Sequence, residues 1–149
     1  MIEPPRGMYP SRVDDKGRLK LPATFAQYFG AIREKTLYVT SLDRRIAQLY
    51  PMEVWRHNEK VLEEFEDRAV ANRVAFNAAD LGSECEVDSQ GRVLLSPELR
   101  RELGIENAAV KLFGTQGHVE VLSEQMYEER KADAAQVTSQ QINTLKGLR

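Results

Sequence analysis

The chain is poor in the residues from which active sites, disulfide frameworks and membrane anchors are built. A single cysteine, Cys85, excludes an intramolecular disulfide. It lies in the alternating stretch Cys85-Glu86-Val87-Asp88 and reads as a strand thiol turned to a core, not as a nucleophile. The only histidines, His57 and His118, have no cysteine or carboxylate at metal-ligand spacing around them. Both read as surface residues, and neither a metal nor a cofactor is expected. No phosphate-loop, dinucleotide or nucleophile-elbow pattern occurs. The paired carboxylates Glu63-Glu64 and Glu128-Glu129 fall on helical stretches as solvated faces, so catalytic residues are not expected either. No apolar run approaches the roughly 20 residues that span a bilayer, and Met1-Ile2-Glu3-Pro4-Pro5 lacks the basic-then-apolar order of a signal peptide. A cytoplasmic protein without membrane contact is the expectation.

What is present is a repeat. Val13-Asp14-Asp15-Lys16-Gly17-Arg18-Leu19-Lys20-Leu21 returns 74 positions later as Val87-Asp88-Ser89-Gln90-Gly91-Arg92-Val93-Leu94-Leu95. Valine, aspartate, glycine, arginine and the last leucine keep their places. Apolar residues flank a polar turn whose glycine supplies a positive φ, so each copy reads as a tight hairpin, with Met8 to Asp14 against Arg18 to Leu21 in the first. The register continues: Phe25, Phe29 and Gly30 match Leu99, Leu103 and Gly104, a short helix ended by a glycine cap. One such turn is common by chance. Two, each followed by the same helix pattern, indicate an internal duplication.

Along the chain, Pro22 and Ser96-Pro97 suit helix starts. Leu37-Tyr38-Val39 and Ile46 to Leu49 form a second strand pair around Asp43-Arg44-Arg45, matched by Ala109 to Phe113 and His118 to Leu122 around Gly114 to Gly117. Between the repeats, Val54, Trp55, Asn58, Val61, Leu62 and Phe65 recur at helical spacing as a core stripe, and Val70, Val74 and Phe76 continue it in one bent helix or two. Tyr127 matches Trp55 at the head of a closing helix from Ser123 to about Ala135. The organisation is thus a first repeat with inter-repeat helices over 6–80, a second repeat over 81–135, and a mobile tail over 136–149. Each unit reads strand, strand, helix, strand, strand, helix, and strands this short favour intertwining of the halves in an α+β fold.

The net charge of -2 hides an uneven distribution: residues 1 to 50 hold nine Lys/Arg against five Asp/Glu, and the remainder twelve against eighteen. Arg6, Arg12, Lys16, Arg18 and Lys20 crowd the first hairpin, which can steer an anionic partner to one face. An arginine four residues past an aspartate can be held across the turn, and a guanidinium fixed this way meets a phosphate or a guanine edge with little entropy lost. The same pair can also be purely structural, tightening the turn. Gln90, Leu94, Glu84 and Glu86 make the second copy the weaker candidate.

These residues resemble the MraZ family of bacterial transcriptional regulators, itself similar to the AbrB and SpoVT swapped-hairpin DNA-binding domains. The resemblance rests on Arg6-Gly7, on Asp14 through Pro22, on Leu49-Tyr50-Pro51 with Trp55, and on Asp88 through Arg100, within residues 6 to 130. It implies two tandem swapped-hairpin repeats in a pseudo-symmetric, β-barrel-like core with flanking helices. It also implies a ring-shaped homo-oligomer, association with the nucleoid, and binding to repeated elements of double-stranded DNA upstream of the division and cell-wall gene cluster. Carried onto this chain, the family's D-x-x-x-R motifs fall on Asp14 with Arg18 and on Asp88 with Arg92. With Arg12, Lys16 and Lys20 from the basic hairpin, these are the expected DNA-binding residues. Ala26 departs from the family's arginine, which Arg100 supplies in the second half; Ser96 replaces a proline, and the Met1 to Pro5 lead-in is less apolar than the family's. The expected function is a sequence-specific repressor without enzymatic activity. The alternative is a ring-forming scaffold or antitoxin-like protein-binding module, for which Val137 to Arg149 offers few apolar anchors.

Overall fold

A computed structural model describes residues 3–149; Met1 and Ile2 of the lead-in lie outside the described residues. The elements run β1 (Met8–Arg12), β2 (Arg18–Lys20), α1 (Ala23–Ala31), β3 (Thr36–Thr40), β4 (Ala47–Pro51), α2 (Met52–Glu64), α3 (Arg68–Leu81), β5 (Ser83–Glu86), β6 (Arg92–Leu94), α4 (Pro97–Leu103), β7 (Ala109–Thr115), β8 (His118–Ser123), α5 (Glu124–Ala134) and α6 (Ser139–Asn143). The class is α+β. Six strands form an antiparallel sheet in the order β1-β7-β8-β4-β3-β5, and β2 pairs with β6 in a separate two-stranded ribbon.

The pairing differs from two self-contained hairpins. After the turn, β1 and β2 are joined by the Val13–Leu19 bridge and the Asp14 N–H donating to the Arg18 carbonyl at 2.9 Å. Beyond that point β1 leaves to pair with β7, Met8 opposite Phe113 and Arg12 opposite Ala109, while β5 pairs with β3 in the equivalent way. β2 finds its own repeat mate, Leu19 opposite Val93. The reason is burial: Val13, Leu19, Leu21, Val93 and Leu95 all sit at 2% exposure or less in one cluster, and only pairing between the halves puts both copies' apolar faces into it. The sheet does not close into a barrel. Its edges are β1 and β5, at opposite ends of the strand order.

Helix ends follow their capping chemistry. Ser96 Oγ accepts from the Leu99 N–H at 3.2 Å, Pro97 occupies the first turn, and Gly104 stops α4 in the left-handed region at φ 67°. The first copy ends otherwise than expected: α1 runs through Gly30 to Ala31, and the Lys35 ammonium caps it by donating to the carbonyls of Gly30 and Ile32. Between the repeats there are two helices. The Asp67 carboxylate accepts from the Val70 N–H at 3.2 Å and starts α3 anew.

The inter-repeat helices bury less than their periodicity suggests. Trp55 is the buried residue of α2, stacked on Tyr38 with centroids 4.7 Å apart and against Tyr50 at 5.2 Å. Val61 and Phe65 remain 47% exposed and Phe76 66%. The β7–β8 turn is tighter than expected, because Gln116 and Gly117 both take positive φ and let the strands run to Thr115 and from His118. His118, expected at the surface, is buried, with Nε2 3.1 Å from Glu120 and its ring 4.7 Å from Tyr50. Residues 128–149 are exposed throughout and include α6, which opens on a Thr138–Gln141 capping box.

Candidate functional site

Each D-x-x-G-R turn is built by its own aspartate. Asp14 Oδ1 accepts from the backbone N–H of Lys16 and of Arg18, both at 2.9 Å, and Oδ2 accepts from Arg18 Nε at 2.9 Å. Asp88 does the same for Gln90, Arg92 and Arg92 Nε, all at 2.9 Å. One carboxylate thus shapes the turn and orients the arginine. The backbone amide of Arg18, with the guanidinium and the Lys16 amide adding to it, holds the Asp14 carboxyl below the usual carboxylate range; Arg92 and Gln90 do so for Asp88. The ion pairs engage Nε. Among the described residues neither Nη of Arg18 or Arg92 has a hydrogen-bond partner, so each guanidinium keeps its two outer nitrogens for a ligand.

The two turns are laced together. The Leu95 N–H donates to the Gly17 carbonyl and the Leu21 N–H to the Gly91 carbonyl, both at 2.9 Å, so β2 and β6 are held with Arg18 opposite Leu94 and Lys20 opposite Arg92. Leu19 and Val93 point into the core at 0% exposure. Strand alternation then turns Arg18, Lys20, Arg92 and Leu94 to the opposite face. This brings Asp14, Arg18, Lys20, Asp88 and Arg92 into one patch, with Lys16 exposed at the first turn's tip. Lys20 also braces the neighbouring hairpin, its ammonium donating to the Gln90 carbonyl at 2.9 Å. Arg12 is directed elsewhere, to the Asn107 carbonyl at 2.9 Å.

One residue that sequence reasoning did not place at the site supports it. Arg100 lies over the first turn, donating to the Leu95 carbonyl through Nη1 and to Glu106 through Nε at 3.0 Å. The equivalent residue facing Gly91 is Ala26, and a cavity of about 300 Å³ opens there, lined by Ala26, Lys35, Glu86, Asp88 and Ser89. The first turn therefore has an arginine packed over its glycine and the second has only a methyl group there. Arg44, in the β3–β4 turn at φ 62°, donates to Asp80 at 2.8 Å, Glu102 at 2.7 Å and Asn77 at 3.0 Å, tying α3 and α4 together. The 58-residue gap between Arg44 and Glu102 gives no sequence signal for that contact.

Cys85 is half-buried against the core, and burial with the nearby Glu86 carboxylate pushes its thiol up to about 11, so it stays protonated and unreactive at neutral pH. Among the described residues no group of three metal-ligating side chains converges, and no helix is long and apolar enough to cross a membrane.

The family model described as "MraZ protein, putative antitoxin-like" matches residues 81–146. A transcriptional regulator MraZ from Acidobacterium capsulatum is 34% identical over 125 residues, 83% of this chain and 85% of the relative. The transcriptional regulator MraZ of Koribacter versatilis is 33% identical over 145 residues, 96% and 97% of the two chains. That of Moorella thermoacetica is 34% identical over 127 residues, 83% of each.

Proposed function

Since the chain belongs to the MraZ family, we propose that it is a DNA-binding transcriptional regulator whose reading element is the β2–β6 ribbon. The observation that carries this reading is the outward face of that ribbon: Arg18, Lys20 and Arg92 side by side, two of them pre-oriented by Asp14 and Asp88 with their Nη donors open. A two-stranded ribbon fits the width of a major groove, where an arginine can donate twice to a guanine edge. Lys16 at the tip suits a backbone phosphate, which positions without specifying. Arg12, its guanidinium held by Asn107, stands apart from this face.

The exchange of β1 and β5 between the halves supports two AbrB-like swapped-hairpin repeats, over 6–80 and 81–135, with 136–149 a mobile tail outside both. On this reading the protein is a non-enzymatic, cytoplasmic, nucleoid-associated repressor. It binds repeated elements upstream of the division and cell-wall gene cluster as a homo-oligomeric ring that sets several ribbons on successive repeats. An electrophoretic shift titrated with salt, using the DNA upstream of the protein's own gene, tests it. Binding should exceed that to random DNA of equal length and weaken steeply with salt; equal affinity for both removes the reading.

A protein-binding role is favoured by one observation: the tail's few apolar residues, Val137, Ile142, Leu145 and Leu148, all stand exposed.

A further inference from the structure

The two copies of the D-x-x-G-R turn meet different side chains. Over the first, the Arg100 guanidinium lies flat on Gly17: a Cβ built there would stand 2.4 Å from its Cζ and 2.8 Å from its Nε. The missing side chain of glycine is what admits it. The guanidinium is held by the Leu95 carbonyl, which accepts from Nη1, and by the Glu106 carboxylate, which accepts from Nε at 3.0 Å. The arginine side chain is only 13% exposed. A planar slot over glycine, a carbonyl, a carboxylate and shelter from water together make a berth for one guanidinium group.

At the offset of 74 the counterpart of Arg100 is Ala26, and a cavity of about 300 Å³ opens there, lined by Ala26, Phe29, Lys35, Glu86 and Asp88. The other parts of the berth recur around it. Gly91, at φ 74°, clears the same space, since a Cβ there would meet only the Ala26 methyl at 3.7 Å. Leu21 is the counterpart of Leu95; it is 2% exposed, and among the described residues no donor reaches its carbonyl. A buried carbonyl without a donor costs free energy that an N–H from a ligand recovers. Glu106 corresponds to Ile32, but Glu86 brings a carboxylate to the cavity wall instead. The Lys35 ammonium is engaged by the carbonyls of Gly30 and Ile32, and Asp88 by Arg92 Nε. Glu86 forms no ion pair among the described residues, so it is the lining charge left for a ligand, and it calls for a cation.

We propose that this cavity binds the guanidinium group of a small molecule, a planar cation on a short apolar stem. The group lies over Gly91 as Arg100 lies over Gly17, donating to the Leu21 carbonyl and the Glu86 carboxylate, with its stem along Ala26 and Phe29. A flat fork of N–H donors can face a carbonyl and a carboxylate in one plane while its own face rests on the glycine; a compact ammonium cannot. The ligand supplies the atoms that Ala26 lacks relative to Arg100. It adjoins Asp88 without displacing Arg92, so its binding is measured independently of any nucleic acid.

The test uses methylguanidine as the probe, with methylammonium at equal ionic strength as the control for a simple cation. Saturation-transfer NMR on the full-length chain should show a saturable methylguanidine signal in the millimolar range and none for methylammonium. Ala26→Arg fills the cavity from within and should lower that signal at least fivefold while raising the melting temperature. Ala26→Met fills it without a charge and should also block the probe, with circular dichroism confirming the fold of each variant. Arg100→Ala opens the equivalent space on the first turn, so it should roughly double the bound probe, and methylguanidine should restore part of its lost melting temperature. The proposal is overturned by no saturable signal in the wild type, by an equal signal from methylammonium, or by a signal that survives in a folded Ala26→Arg or Ala26→Met chain. A wild-type chain that ignores the probe, but whose assembly mass falls in Ala26→Arg, assigns the cavity to an arginine of another chain and overturns the small-molecule occupant.

Discussion

Arg100 occupies the space that a side chain on Gly17 would need. A Cβ built on Gly17 would stand 1.9 Å from Arg100 Nη1, whereas one built on Gly91 would meet only the Ala26 methyl at 3.7 Å. Both glycines take positive φ, 82° and 74°. Gly91→Ala should therefore cost only the left-handed backbone penalty, about 1 to 2 kcal/mol. Gly17→Ala should cost clearly more, because Arg100 must also leave Leu95 and Glu106. Denaturant unfolding of both variants, and of Gly17→Ala combined with Arg100→Ala, checks this. The double variant should be more stable than the sum of the two single losses predicts, since removing Arg100 relieves the clash; strict additivity would count against the contact.

Arg18→Ala should weaken specific DNA binding more than Arg92→Ala. The Asp-Arg geometry is the same in both turns, but the tip beside Arg18 carries the cationic Lys16, where the tip beside Arg92 carries the neutral Gln90. If Arg18 donates to a base, its loss costs about 1 to 3 kcal/mol and relaxes the sequence preference. A phosphate contact instead lowers affinity for all sequences and reduces the salt slope by about one. Quantitative binding at several salt concentrations, on variants of unchanged mass, separates these outcomes. The reverse ranking would make the second turn the principal reader.

The depressed carboxyls of Asp14 and Asp88 set a direction of pH dependence. A group whose folded pKa lies below its unfolded value stabilises the fold above the unfolded value, about 3.9 for aspartate, and that contribution is lost as pH falls through the folded pKa. Asp14→Asn keeps a side-chain oxygen for the Lys16 and Arg18 amides but loses the charge that pairs with Nε. Its melting temperature should fall below wild type at pH 7, and the gap should narrow as pH drops below about 4. A gap that widens on acidification would show that the pair does not behave this way.

Trp55→Ala should destabilise by roughly 3 to 5 kcal/mol, as for a large aromatic lost from a packed site. Tyr38 and Tyr50 lose their shared partner, and α2 loses the side chain that anchors it. Trp55 is the chain's only tryptophan, so native fluorescence reports on this site alone. It should be blue-shifted and shielded from iodide.

The sequence by itself determined what is settled within a few residues. Asp14 reaches only to Arg18, and Asp88 only to Arg92, so spacing and glycine position specify those turns. Ser96, Pro97 and Gly104 likewise mark both ends of α4 through contacts at most a few positions away. Tertiary structure decided which strand lies beside which. An alternating strand such as β1 or β2 presents the same apolar face to any partner, and only the joint burial of Leu19 with Val93 selects β6 over β1. Trp55, Val61 and Phe65 show the same division: their spacing makes a helix with an apolar stripe, but the fold places a floor beneath Trp55 alone. Arg100 over Gly17 and Arg44 between Asp80 and Glu102 join residues dozens of positions apart, through side chains that a surface helix or loop would equally carry. Local bonds are encoded where they form. Long-range ones exist only once burial has brought their partners together.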